Sequence, residues 1–367
     1  MQKMNRNLFI VSILWLFIAT TGWSQKLELA PTPLAGGFSA ERLKVLDTRL
    51  NEWVEKGWMQ GGTALIARNG KIVYYKAVGY NDMEAKVVMK KNDIFRIASQ
   101  TKAITSVAIM VLFEEGKLLL DDPVSKYLPA FRKQQVLATF NEIDTTYTTV
   151  PAKSEITIRQ LLTHTSGLGY AQIGSKEANA IYAKASLTAG IGVVGDDLLS
   201  AMNRLGKLPL MHQPGERWTY GLNTDLLGCL VEQIAGKTLD QFFKEKIFEP
   251  LGMKDTHFHL PAAKANRLVK LYRELPGGKL EKSAGNMLNG RTITPDYPLE
   301  GSTYYSGGAG LSSTIEDYAI FLQMLLNGGI YNGKRILGRN TVDMMITNQI
   351  GEVPYSNNDK FGLGFSI

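Results

Sequence analysis

The sequence predicts an α+β fold in two lobes. One is an α/β sandwich lobe carrying an antiparallel sheet, and the other is mainly helical. Three observations lead there. The chain has 367 residues, more than one compact core usually takes. Two β-rich runs, Thr63 to Ala67 and Ile72 to Tyr75, flank Asn69-Gly70, a short-range hairpin signal. From Ser99 onward the pattern turns helical, and Ile104, Val107, Ala108, Val111 and Leu112 cover so much of its surface that this helix must be largely buried.

Taken in order, residues 1–24 have the layout of a secretory signal peptide. Lys3 and Arg6 form a positive start, an uncharged apolar run extends from Leu8 to Ala19, and small or polar residues lead to a cut after Ser24. The run is short for an uncleaved anchor, since a spanning helix needs about 20 residues. The expected location is therefore exported, periplasmic or secreted, with no stable membrane insertion after cleavage. Residues 25–37, with Pro31, Pro33, Gly36 and Gly37, read as a linker into a domain spanning 38–367. Ser39 is positioned to cap a helix in which Leu43, Leu46, Leu50 and Trp53 recur at helical spacing.

Gly116 terminates the buried helix, and Pro123, Pro129 and Pro151 punctuate an irregular stretch after it. Thr157 to Leu162 opens another helix, and residues 171–210 read as mainly helical. Helices are expected from Thr224 to Ala235 and from Leu239 to Phe248, the second stopping before Pro250. A last clear helix runs to Leu326 from a cap at Ser313 or Thr314. The sheet lobe should hold residues 38–115 and the C-terminal end, and the helical lobe about 116–305. One hairpin is not a stable sheet by itself. The chain stops at Phe365-Ser366-Ile367 in what reads as a strand, so a C-terminal truncation is expected.

Composition excludes several classes. With 44% hydrophobic and 20% charged residues, the chain is not generally disordered. Its formal charge is +7, or +5 without Lys3 and Arg6, and its basic residues are scattered rather than striped with aromatics, which argues against nucleic acid as a partner. Cys229 is the one cysteine, so no intrachain disulfide forms. His257-x-His259 lacks a third ligand, and no metal site is expected. Gly236-Lys237-Thr238 lacks the upstream glycine of a phosphate loop, since Val231 stands there. No G-x-S-x-G elbow occurs within the chain.

Chemistry concentrates at Ser99-Gln100-Thr101-Lys102, an S-x-x-K. At a helix start, positions i and i+3 share a face, so Ser Oγ and Lys Nζ can meet. A serine hydroxyl needs a base, and a buried lysine can serve. The helix N-terminus favours developing negative charge. The bare tetrapeptide also fits an N-capping serine beside a solvated lysine. Against that, a lysine opening a buried apolar helix is costly without a partner.

Longer segments resemble the serine β-lactamases and their penicillin-binding relatives. Phe95 to Lys102 runs on through Glu115-Gly116-Lys117-Leu118 and Asp121-Asp122-Pro123-Val124. It is followed by Ile158 to Leu168 (IRQLLTHTSGL), Gln213 to Tyr220 (QPGERWTY), and Gly307 to Thr314 (GGAGLSST) with Asp317-Tyr318. The resemblance is to the class C-like branch and within it to the family VIII carboxylesterases. It covers roughly residues 40–367.

The resemblance implies a β-lactamase/transpeptidase-like fold with the site between the lobes and no metal or organic cofactor. It makes Ser99 the acylated nucleophile, Lys102 its neighbour, and Tyr220 the tyrosine of the Y-x-N motif. One oxyanion N–H would come from Ser99. Asn223 and Gly308 are carried as candidate substrate contacts. Two features depart from the family. Leu222 stands where the Y-x-N asparagine would be, with Asn223 one place later, and this resembles the esterases more than true β-lactamases. The K-T-G-type third motif is not found, and Lys237-Thr238-Leu239 is not that motif. The expected activity is serine hydrolysis through an acyl-enzyme, on a small acyl ester first, with β-lactam or D-alanyl peptide chemistry second. A non-catalytic binding protein of the same fold is the alternative of another class. His164 is expected to be a structural hydrogen-bonder.

Overall fold

The computed structural model describes residues 26–187, 190–288 and 291–367, so the signal-peptide reading of residues 1–24 lies outside it. β1 (Glu28–Leu29) is followed by α1 (Ala40–Glu55), capped by Ser39 as expected, and by β2 (Gly61–Arg68) and β3 (Lys71–Asp82). β2 and β3 pair antiparallel across Asn69 and Gly70, whose φ values of 50° and 72° give the doubly positive turn that follows the strand twist. β4 (Val87–Val88) pairs antiparallel with β3. β1 adds to β3 in parallel, and Thr32 caps a 3₁₀ turn at Pro33–Gly36. Within the expected linker, Glu28–Leu29 is therefore a strand of the sheet and Pro33–Gly36 a capped turn. The sheet order is β1-β3-β2, and no strand lies beyond β2 among the described residues.

β5 (Phe95–Arg96) leads through a 3₁₀ turn, Ala98–Gln100, into α2 (Thr101–Glu114). From Thr101 to Leu112 every residue of α2 except Ala103 is buried, as the all-round apolar pattern requires. Gly116 then leaves the helix with φ of 68°.

A hairpin not expected from the sequence follows, β6 (Gln135–Phe140) with β7 (Tyr147–Pro151). Its turn lacks Asn-Gly. Asn141 Oδ1 accepts from the Ile143 N–H and Asp144 Oδ1 from the Thr146 N–H, so side chains fold the loop. Pro151 sits at the strand's last residue, where no further ladder donor is needed.

α3 (Ile158–Leu162) carries the capping box of Thr157 and Gln160. Among the described residues of 171–210, only α4 (Lys176–Lys184) and α5 (Leu198–Leu205) are helical, less than expected. α6 (Asn223–Ala235) ends at Gly236, in the left-handed region. α7 (Leu239–Phe243) continues through a π turn, Lys244–Phe248, into α8 (Glu249–Leu251), so the helical path passes Pro250 rather than stopping before it. Pro250 sits in the first turn of α8, directly after the π turn.

Two short hairpins follow, β8 (Tyr272–Glu274) with β9 (Leu280–Lys282) and β10 (Asn286–Leu288) with β11 (Arg291–Ile293). β12 (Ser312–Ser313) returns to pair with β5. Thr314 caps α9 (Ile315–Leu326), and after β13 (Ile330–Tyr331) and β14 (Lys334–Arg335) comes α10 (Arg339–Met345), a further helix after the one read as last. α2 and α6 pack on each other at the centre of a core that runs from Ile104 to Leu363 and also takes in Cys229. The site lies at the N-terminal ends of these two helices.

Candidate active site

Each side of the site begins with backbone. The Ile97 N–H donates to the Leu311 carbonyl, and β5 pairs with β12, so the approach to Ser99 is tied to residues 311–313. Ala98 has φ of 43°, an uncommon conformation for a residue with a Cβ, immediately before the serine. Ser99 is exposed at the start of α2, and Lys102, three residues on, is only 8% exposed.

The structure brings together four of the five sequence-predicted residues, Ser99, Lys102, Tyr220 and the backbone of Gly308. Ser99 Oγ lies 2.7 Å from Tyr220 Oη, and Lys102 Nζ donates to Ser99 Oγ at 3.2 Å. Lys102 Nζ also donates to the Gly308 carbonyl at 2.7 Å and stands 4.8 Å from the centre of the Tyr220 ring. The buried lysine is thus held by an oxygen, a hydroxyl and a ring face, the partners that its burial demands. The serine proton has the tyrosine oxygen within reach, and the lysine nitrogen as a second acceptor when that amine is unprotonated.

Tyr220 is placed by contacts from far along the chain. Its ring lies between His164, at 5.3 Å and 27°, and Tyr170, at 5.4 Å and 2°. The Thr219 N–H donates to the His164 carbonyl and the Leu222 N–H to the Gly169 carbonyl, lacing the Tyr220 segment onto residues 164–169. Gly221 is required there, because a Cβ would fall 2.1 Å from the Leu168 carbonyl oxygen. Trp218, Tyr355 and Phe361 extend the aromatic cluster outward.

Asn223 and Gly308 do not occupy the places expected of them. Asn223 is fully buried; its Nδ2 donates to His164 Nδ1 at 3.0 Å, and its Oδ1 accepts from Ser166 Oγ at 2.5 Å. It has no face for a substrate, because α6 is buried all round its first turns. Leu222 is likewise fully buried, so neither residue directs a side-chain amide toward Ser99. Gly308 is buried too, and its carbonyl is engaged by Lys102. His164 is a structural hydrogen-bonder held neutral. Burial, and then the charge of Lys102, push its pKa down to about 3, and the Asn223 donor assigns its proton to Nε2.

Two contributors were missed in the sequence. Tyr170 forms one wall of the Tyr220 sandwich, and β6 lines a cavity of about 420 Å³ beside Tyr220, with Leu137, Phe140, Met211 and Arg217 among its walls. That volume is in the range of small-ligand sites. Tyr170 stands two residues past the IRQLLTHTSGL run, and that adjacency was the available signal. His257 and His259 direct Nε2 at the backbone carbonyls of Lys254 and Ser302.

Comparison with known proteins follows the same lines. The Beta-lactamase family model matches residues 46–366. Protein Rv1367c of Mycobacterium tuberculosis is 33% identical over 328 residues, 87% of this chain and 77% of that protein. Esterase EstB of Burkholderia gladioli is 33% identical over 279 residues, 74% of this chain and 67% of the esterase. Among solved structures, EstCE1, described as a hydrolase with promiscuous acyltransferase activity, superposes with a TM-score of 0.74 at 28% identity, covering 89% of this chain and 82% of its own.

Proposed function

Because this chain belongs to the β-lactamase family of serine hydrolases, we propose that it is an exported carboxylesterase that hydrolyses small acyl esters through an acyl-enzyme on Ser99. The observation that carries this reading is the triangle of Ser99 Oγ, Tyr220 Oη and Lys102 Nζ, at 2.7 and 3.2 Å from the serine oxygen. In the first half-reaction, Ser99 Oγ attacks the ester carbonyl as its proton passes to Tyr220 or Lys102. The tetrahedral intermediate collapses, the C–O bond to the alcohol breaks, and the same proton leaves with the alcohol. Water then repeats the sequence on the acyl-serine and releases the acid. The helix N-terminus at Ser99 favours the oxyanion formed in each half.

The choice of ester over β-lactam rests on Leu222 and Asn223. With both side chains in the core, the position after Tyr220 supplies no amide to hold a lactam side chain. The likeness to EstB and EstCE1 points the same way. The 420 Å³ cavity beside Tyr220 offers room for a medium-sized acyl or alcohol group, with apolar walls from Leu137, Phe140 and Met211.

The test compares kcat/KM for p-nitrophenyl butyrate and nitrocefin on the full chain, with Ser99→Ala as control. A large preference for the ester, abolished in the variant, supports the reading. A preference for nitrocefin replaces it with β-lactamase activity, and turnover of neither, with tight binding of an acyl or peptidoglycan-like ligand, replaces it with a binding role.

A further inference from the structure

Lys102 is aimed by the carbonyl of Gly308, and that carbonyl sits in a glycine-rich loop closed by only short bonds of its own, from the Gly310 and Ala309 N–H groups to Ser306. Gly307, Gly308 and Gly310 are three glycines in four positions, and glycine backbone is the least restrained. Contacts from outside the loop add to these. Two elements supply them. On the α2 side, Thr105 Oγ1 donates to the Gly307 carbonyl at 2.7 Å, and Thr101 Oγ1 accepts from the Leu311 N–H at 3.2 Å. On the α6 side stands Asp225, 1% exposed.

We propose that Asp225 is a positioning residue for Lys102, clamping the 306–310 loop so that the Gly308 carbonyl holds the ammonium against Ser99. The proposal rests on the reading of Ser99 and Lys102 as the reacting pair. Asp225 Oδ1 accepts from Ser306 Oγ at 2.6 Å and, at the longer distance of 3.4 Å, from the Gly308 N–H. Ser306 Oγ in turn accepts from the Ala309 N–H at 3.0 Å. One carboxylate therefore grips the loop on both sides of the carbonyl that Lys102 uses. The fit is close, since a Cβ on Gly308 would lie 2.5 Å from Asp225 Oδ2.

A buried carboxylate is an expensive way to fill space. Burial pushes its pKa up, against its hydrogen bonds and the nearby charge of Lys102, which favour the ionised form. The first turn of α6 also favours a negative charge at this position. Asp225 lies five residues after Tyr220, in the helix that follows it, so it ties the tyrosine segment, the loop and the lysine into one frame. A misplacement of about 1 Å at such a distance from the chemistry can cost on the order of 100-fold in rate.

The experiment is a double-mutant cycle on the full chain with p-nitrophenyl butyrate, reading the pre-steady-state acylation rate, KM and Tm. Asp225→Ala should slow acylation on the order of 100-fold with KM unchanged within about twofold. Asp225→Asn keeps an acceptor oxygen for Ser306 and should recover to within about tenfold of the parent. In a Lys102→Ala background, Asp225→Ala should cost less than about twofold more, because its effect runs through the lysine. Asp225→Ala at the parental rate, Asp225→Asn as slow as Asp225→Ala, or an undiminished loss in the Lys102→Ala background overturns the proposal. If Asp225→Ala does not fold, Ser306→Ala takes its place in the same cycle, with a loss of about tenfold expected in the parent and none in the Lys102→Ala chain. Full hydrolysis by Ser99→Ala would instead overturn the reading of the nucleophile, so the two failures are distinct.

Discussion

The serine side of the site and its tyrosine side are built by different means. Ser99 and Lys102 share one helix, three residues apart, and their geometry follows from helical spacing once α2 is buried. Tyr220 has no such local guarantee. Its ring is held by His164 and Tyr170, fifty or more residues upstream, with His164 fixed in turn by Asn223 and the backbone of Thr219. The serine side should therefore break through chemistry alone, with the fold left standing. The tyrosine side should break through both chemistry and stability, because the residues that place the ring are core residues.

The largest effect is expected on the serine side. Lys102→Ala removes a proton acceptor, and kcat/KM for p-nitrophenyl butyrate should fall on the order of 1,000-fold. Tm should change little, because the hydrogen bonds lost at Ser99 and Gly308 are offset by removing a buried amine that is costly to desolvate. A Tm collapse in this variant would break the comparison. Next comes Tyr220→Phe, which keeps the stacked ring and removes only Oη. It should lose on the order of 100-fold in kcat/KM while melting close to the parent.

Asn223→Ala sharpens the contrast. It leaves the Ser166 hydroxyl and His164 Nδ1 without their partner inside the protein, at a cost of roughly 1–3 kcal/mol. Thermal melting should show the loss, with KM for the ester unchanged. A raised KM at unchanged Tm would return Asn223 to the role of a substrate contact.

The last effect is in pH, where the change within the working range is gradual. The folded protein holds His164 near a pKa of about 3, against an ordinary value of 6.5, so below pH 6.5 the unfolded chain takes up a proton that the folded one refuses. Stability is fully present above pH 6.5 and declines as the pH drops toward 3, by at most about 1.4 kcal/mol per pH unit from this group. His212 is also depressed by burial, and His257 is depressed to about 4, so both add in the same direction. His164→Phe should flatten the fall in Tm between pH 6.5 and 5. An unchanged slope would mean that His164 is not held neutral.

What could be read in the sequence follows the same division. The β2–β3 hairpin was legible in Asn69-Gly70, and the burial of α2 in its all-round apolar pattern, because both are local. The hairpin of β6 and β7 was not, since its turn is made by the side chains of Asn141 and Asp144 rather than by a turn dipeptide. The expected linker holds β1 because pairing with Lys71 and Ile72 is a long-range event that no local pattern announces. At the site, the spacing of Ser99 and Lys102 was legible from helix geometry, whereas Tyr220 could be singled out only by resemblance. Leu222 stands where the Y-x-N asparagine would be, and Asn223 one place later is the residue that could replace it. Their burial at the start of α6 could not be read from their order, and it removes both from the surface. The direction of the Gly308 carbonyl was equally hidden, because it depends on residues in two other helices.

The account turns on Ser99 being the atom that is acylated. The direct measurement is the intact mass and peptide map of the full chain after treatment with a serine-directed fluorophosphonate, alongside Ser99→Ala. A single adduct on the peptide bearing Ser99, absent from the variant and formed at a rate that Lys102→Ala lowers, is the predicted result. An adduct elsewhere, or equal labelling of Ser99→Ala, would contradict it.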